Sequence, residues 1–236
     1  MKLEAIPRPP SLVEKVCEQL ALIVRRDLKV VDGWLPTERE LSTRLGVSRS
    51  VVREATKRLE SQGLVEIRHG IGIKAVDRLH RPLSDSLSLV IPDMADRLRS
   101  LIEARLSIEP DAAAFAAERA TKKQLRELRA THERLESASS QDAAVKADCA
   151  FHRGVAEASG NLVYRLILDS VAELDVASRL RSMGRVGKDR AIEQHAGILE
   201  AMETRKATLA RRLMRDHILA AGEDLDLRTL KRKKPD

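Results

Sequence analysis

Aromatic residues are scarce: Phe, Trp and Tyr together make up 2% of the 236 residues. With abundant Ala, Leu, Arg and Glu, this composition favours helices over sheet. Cysteine is also rare. Cys17 and Cys149 are the only two, too few and too far apart in sequence for a disulfide framework, which fits a reducing compartment. No apolar run approaches the roughly 18 residues of a membrane span. The opening "MKLEAIPRPPSLVEK" lacks the apolar core of a signal peptide, so a cytoplasmic location with no membrane contact is expected.

What is present describes a globular chain, with 43% hydrophobic and 33% charged residues. That length accommodates one large domain or two smaller ones. The net charge is +7, but the tail "KRKKPD" supplies much of it, through Lys231, Arg232, Lys233 and Lys234. Net charge is therefore weak evidence for nucleic acid, and the placement of the charges matters more.

Residues 11–76 read as three helices followed by two short strands. "SLVEKVCEQLALIVRRDL" places Leu12, Val16, Leu20 and Ile23 on one expected face. Thr37 and Glu40 have capping-box spacing, Gly46 is a helix stop, and Ser48 begins a helix that ends at Gly63. "LVEIRHGIGIKAV" reads as a hairpin around His69-Gly70 and Gly72. "DRLHRPLSDS" is polar and contains Pro82, so it reads as a linker. Beyond about residue 90 all segments read as helix, the first interrupted or bent near Pro110. The expected fold is mainly α: an N-terminal winged helix-turn-helix with a small two-stranded wing, then a C-terminal all-α bundle. The expected boundaries are residues 1–78 for the DNA-binding domain, 79–92 for the linker, 93–225 for an effector- and metal-binding domain, and 226–236 for a basic tail.

The second helix of the helix-turn-helix carries Arg49, Arg53 and Lys57 at i, i+4 and i+8, on one face. Ser48 and Ser50 lie at its start, where free N–H groups and short hydroxyls suit a phosphate. Arg at such a position can reach guanine O6 and N7 in the major groove, while the hairpin would offer His69 and Gly70. A solvated basic helix would show the same charge spacing. The stretch "LPTERELSTRLGVSRSVVREATKRLESQGLVEIRHGIGIKAV" resembles the winged-helix domain of GntR-family bacterial transcription regulators. That resemblance implies a homodimer on a palindromic double-stranded DNA operator. It assigns DNA contact to Arg39, Ser48, Arg49, Ser50, Arg53, His69 and Gly70.

In the second half, Val145, Asp148, His152, Val155 and Ser159 step by three and four along one helical stripe. His195 shares a stripe with Ile192, Leu199 and Met202, and His217 with Ala210, Leu213 and Ala220. Three inward imidazoles and a carboxylate would suit a divalent transition ion. His132 also sits in an apolar stripe, with Leu125, Leu128 and Leu135, so spacing alone does not choose three histidines from four. "LIEARLSIEPDAAAFAAERAT", the "D-x-x-x-H" at Asp148–His152, "HAGILEAM" from His195 and "MRDH" ending at His217 resemble the FCD effector domain of the FadR subfamily. The resemblance implies Asp148, His152, His195 and His217 as ligands and leaves His132 out. Zinc is the first expectation, with nickel, manganese and iron as alternatives. One departure is visible: Arg205-Lys206 stands where the family usually has Gly-Asp, removing a favourable carboxylate from the start of the last helix.

Arg105 shares a stripe with Leu98, Ile102, Ile108 and Ala112. An inward guanidinium beside a metal would favour an anion, and Arg suits a carboxylate by two-point pairing. The family's effectors are commonly small carboxylates or sugar acids that meet the metal, and repression relieved by ligand is the commoner behaviour. Pairing of Arg105 with Glu103 or Glu109 is the plainer alternative. A metal-free pocket for an acyl chain is a second functional reading, and a DNA-tethered metallohydrolase a third. The third would need a general base such as Glu173 or Glu193. Cys149 lies several residues inside its helix, away from the N-terminal dipole that activates a thiol, so it reads as packing. No catalytic residue is expected.

Overall fold

The computed structural model describes residues 10–27, 33–68, 70–90 and 93–225. Contacts divide the chain into two units, Met1–Leu83 and Ser84–Asp236.

The first unit runs α1 (Leu12–Asp27), β1 (Trp34–Leu35), α2 (Glu38–Leu45), α3 (Arg49–Ser61), β2 (Val65–Arg68) and β3 (Gly72–Ala75). Its sheet is antiparallel in the order β1-β3-β2. The wing therefore has three strands rather than the two expected. β1 spans two residues, too short for an alternating pattern to register. The buried face of α1 also differs from the expected one. Val16, Leu20 and Val24 are buried, whereas Leu12 and Ile23 are exposed. They pack with Leu41, Val52, Ala55, Leu59 and Ile73 in one core.

Local chemistry sets the joints of the helix-turn-helix. Thr37 and Glu40 form the expected capping box, with Glu40 accepting from the Thr37 backbone N–H at 2.8 Å. Gly46 ends α2 in the left-handed region at φ 64°, and Ser48 caps α3 by accepting from the Val51 N–H at 3.4 Å. Gly63, at φ 75°, is more constrained: a Cβ there would stand 2.0 Å from the Arg78 carbonyl oxygen.

The second unit is entirely helical among its described residues. It consists of α4 (Arg81–Val90, which begins three residues before the division), α5 (Met94–Arg119), α6 (Lys122–Glu136), α7 (Gln141–Ala158), α8 (Leu162–Ser170), α9 (Ala172–Val186), α10 (Asp189–Glu203) and α11 (Ala207–Asp224). Much of the segment read as a linker is thus helix. Pro82 lies in the first turn of α4, where a missing N–H has no intrahelical partner to lose. Pro110 is accommodated inside α5. The apolar faces of α5, α7, α10 and α11 meet in one core, where Ala112, Ala113, Ala116 and Ala117 lie beside Phe151, Ile198, Met202, Met214 and Ile218.

The Arg205-Lys206 departure has a visible consequence. Arg205 occupies the left-handed region at φ 59°, and its guanidinium donates to the carbonyls of Ala117 at 3.0 Å and Ala120 at 2.8 Å. It thereby satisfies the C-terminal end of α5, a favourable place for a cation. Lys206 gives α11 no side-chain cap.

Two glycine substitutions separate backbone strain from steric collision. Gly46→Ala, with nothing near its would-be Cβ, should lower stability by about 1 kcal/mol. Gly63→Ala adds a clash with backbone and should cost roughly 2–4 kcal/mol. Chemical denaturation of the full chain checks the order, and equal midpoints for the two variants would contradict it.

Candidate metal centre and recognition helix

Helix α3 turns Val52, Ala55, Thr56 and Leu59 into the core, leaving Arg49, Ser50, Arg53 and Lys57 exposed on the other side. Ser48 and Ser50 hydroxyls are 2.8 Å apart at the exposed N-terminus of α3, and Arg39 is exposed on α2. Arg53 forks onto the Glu38 carboxylate, with Nη2 at 2.8 Å. Such an exposed pair contributes little to stability, so the guanidinium can exchange partner at low cost. Gly70 is exposed in the turn between β2 and β3 at φ 76°. His69 lies outside the described residues, as does the basic tail. The sequence reading missed Trp34: Arg68 and Lys74 lie over its ring at 5.7 and 5.8 Å, so β1 supports the two cations of the hairpin.

In the helical unit, the stripe on α7 is buried as expected: Val145, Asp148, His152, Val155 and Ser159 are all at most 2% exposed. His195 from α10 and His217 from α11 are buried beside it. The three Nε2 atoms form a triangle: 3.2 Å from His152 to His195, 3.3 Å from His195 to His217 and 3.2 Å from His217 to His152. Three nitrogens sharing one tetrahedral zinc at about 2.0–2.1 Å stand roughly 3.3–3.4 Å apart.

The outer nitrogens decide what this triangle offers. His152 Nδ1 is hydrogen-bonded to the Glu109 carboxylate, and His217 Nδ1 is 2.8 Å from Gln194 Oε1. Both partners are acceptors, so both Nδ1 atoms donate, and the Nε2 atoms of His152 and His217 turn toward the centre. Burial drives the His195 imidazole down to about 3, partly opposed by Asp148. Burial, joined by the neighbouring imidazoles, also holds His217 well below its ordinary value. Neutral rings are the metal-binding form. Three ring nitrogens from three helices meeting at one point form a donor set that fits a divalent metal. Phe151 stacks on the His195 ring with centroids 4.1 Å apart and shields that side of the triangle.

Asp148 stands next to the triangle, with Oδ1 3.5 Å from His195 Nε2 and Oδ2 3.8 Å from His152 Nε2. Its carboxylate accepts from Arg179 Nε. Burial alone would raise its pKa, but the Arg179 guanidinium beside it holds it well below the usual carboxylate range. The gathered set that meets at a single point is the three histidines, with Asp148 at its edge. His132 is not in that set. It is buried on α6, where its Nε2 lies 3.4 Å from Glu136.

Arg105 is buried and sends its Nε to Glu109 at 2.5 Å, with Nη2 3.4 Å from His152 Nδ1. It also lines the cavity that reaches the centre, together with Asp148, Arg179, Gln194 and His217. Glu109, Gln194 and Arg179 carry much of the arrangement, and none was singled out as a site residue from sequence. Glu109 had been weighed only as a partner for Arg105. Its i, i+4 spacing from Arg105 was the available signal, as was the spacing of Asp175 from Arg179.

Burial raises the Cys149 thiol to about 11, so it carries no thiolate at neutral pH. Glu193 is exposed on α10, and the side chain of Glu173 lies outside what the structure describes.

The geometry predicts how the histidines rank in metal affinity. In a chelator-competition titration with zinc, His152→Ala, His195→Ala and His217→Ala should each weaken binding by at least about 100-fold. His132→Ala should change it less than about threefold. Equal losses at all four positions would contradict the assignment.

Residues 14–74 match the family described as bacterial regulatory proteins, gntR family, and residues 100–220 match the FCD domain. The chain is 30% identical to a Uxu operon regulator of Haemophilus influenzae, covering 88% of this chain and 81% of that one. It is also 30% identical to the HTH-type transcriptional repressor NanR of Citrobacter rodentium, covering 88% and 83%. Among solved structures, Streptococcus agalactiae GntR superposes with a TM-score of 0.74 at 25% identity, over 89% of this chain and 99% of that one. This chain therefore belongs to the gntR family: it is a DNA-binding transcription regulator with an FCD domain as its C-terminal half, not an enzyme.

Proposed function

We propose that this regulator is a metal-dependent, acid-responsive repressor that binds a palindromic operator as a homodimer. The observation that carries the metal-dependent part is the triangle of Nε2 atoms, 3.2–3.3 Å on a side, in a buried core. His152, His195 and His217 would hold a divalent ion, zinc first by affinity and ligand type, with Asp148 as the fourth protein ligand. The ion would supply a Lewis-acidic point that accepts an oxygen of the effector.

The chain's own charges favour an anion at that point. Arg105 and Arg179 face Asp148, Glu109 and Asp175, leaving one net negative charge that a dication turns into one positive. A small carboxylate or sugar acid balances this, with Arg105 at the cavity wall. The buried imidazoles and charged groups around the cavity disfavour a metal-free acyl pocket, because an acyl chain gives them no polar partner.

In the first unit, Ser48, Ser50 and Arg39 would hold phosphates while Arg49 and Arg53 read bases in the major groove, with Gly70 against the backbone. Residues 1–78 would act as the reading head and 93–225 as the sensor. An acid that binds one arrangement of the sensor better than the other shifts the operator affinity by that difference.

Operator fragments selected from random DNA provide the test. The zinc-loaded chain should release its operator when the right organic acid is added, and chelation should abolish that response. Arg49→Ala should lower selectivity by roughly 10–100-fold. An acid response that persists in chelated protein would refute metal dependence, and unchanged selectivity would move the recognition surface away from α3.

A further inference from the structure

Three guanidiniums line the cavity beside the histidine triangle: Arg105, Arg179 and Arg190. Arg190 is part-exposed and paired with Asp224 at 2.9 Å. Arg105 directs its Nε to Glu109 and its Nη2 toward His152, which places it among the supports of the metal centre. Arg179 differs. It is 4% exposed, its Nε donates to Asp148, and its Nη1 lies 2.7 Å from Asp175 Oδ1. Its Nη2 is buried without a hydrogen-bond partner. A buried guanidinium nitrogen calls for an acceptor, and no protein group supplies one here.

We infer that Arg179 reads the anionic group of the effector, its Nη2 donating to a carboxylate oxygen while a second oxygen of the same molecule faces the three-histidine centre. The inference rests on the acid-responsive metal site proposed above and specifies the residue that recognises the acid. Arg179 is suited to this because its other two nitrogens fix the plane of the guanidinium between α7 and α9. The free edge is therefore oriented before a ligand arrives. Asp148 joins the two halves of the site, being both the partner of Arg179 and the carboxylate next to His195. The cavity is small, about 30 Å³. A compact carboxylate head group therefore suits it better than a bulky one. Arg179 was not legible from sequence because its helical neighbours Asp175, Ser178 and Ser182 are polar, so its stripe reads as solvated.

The test uses the full chain saturated with zinc, with occupancy verified by metal analysis in each variant. Glycerate, malate and gluconate are titrated calorimetrically, with glycerol as the neutral control. Wild type should bind at least one acid and not glycerol. Arg179→Lys keeps a cation between Asp148 and Asp175 but loses the fork, and Arg179→Gln loses the charge. Each should weaken the acid by about tenfold or more, and Arg105→Lys by less. Acid affinity within about threefold of wild type in zinc-loaded Arg179→Lys overturns the inference while leaving the metal site standing, as does a larger loss at Arg105 than at Arg179. Should Arg179→Gln fail to take up zinc, Arg179→Lys decides alone. If zinc-loaded wild type binds none of the acids, the acid-responsive reading falls and this inference with it. If wild type takes up no zinc, the metal site itself is wrong.

Discussion

Three buried imidazoles whose Nε2 atoms converge on one point are the constraint on which the helical unit depends. Apolar side chains at His152, His195 and His217 would fill the same space without electrostatic cost. The histidines instead bring three ring nitrogens within 3.3 Å. Two of the rings are fixed from outside, His152 by the Glu109 carboxylate and His217 by Gln194 Oε1. Burial depresses the third, His195, to about 3. Under the proposed reading, a cation at the centre would be shared by the three nitrogens.

Because the histidines come from α7, α10 and α11, whatever occupies the centre ties three helices together. Binding there is then also stabilisation of the bundle. The same helices carry the groups that face the cavity, Asp148 on α7 and Gln194 on α10, and α9 adds Arg179. Under the proposed reading, an acid entering the cavity would meet groups on the same helices that hold the metal. A small ligand can move a larger equilibrium in this way, provided that its affinity differs between the two arrangements.

Legibility in the sequence followed physical type. Period and caps were readable: the α7 stripe is buried throughout, and Thr37, Gly46 and Ser48 occur at the expected helix ends. Patterns shorter than one period were not, which is why β1 was missed. The break between α8 and α9 at Val171 left no mark either, since no Gly or Pro stands there. The face of α1 was misplaced because its apolar residues are frequent enough to define two overlapping stripes. Among the site residues, spacing put four histidines on apolar faces but could not separate His132 from the rest. That separation needs tertiary geometry, since His132 differs only in where α6 carries it. Glu109 and Arg179 were not picked as site residues for a different reason: same-helix spacing pairs them with Arg105 and Asp175, while their contacts to His152 and Asp148 on α7 appear only in the fold.

The central claim is that the three Nε2 atoms share one divalent ion, and anomalous diffraction from crystals of the zinc-saturated chain tests it most directly. Data above and below the zinc edge should give one strong peak about 2.0–2.1 Å from Nε2 of each of the three histidines. A peak elsewhere in the molecule, or none at this site under saturating zinc, would contradict the account.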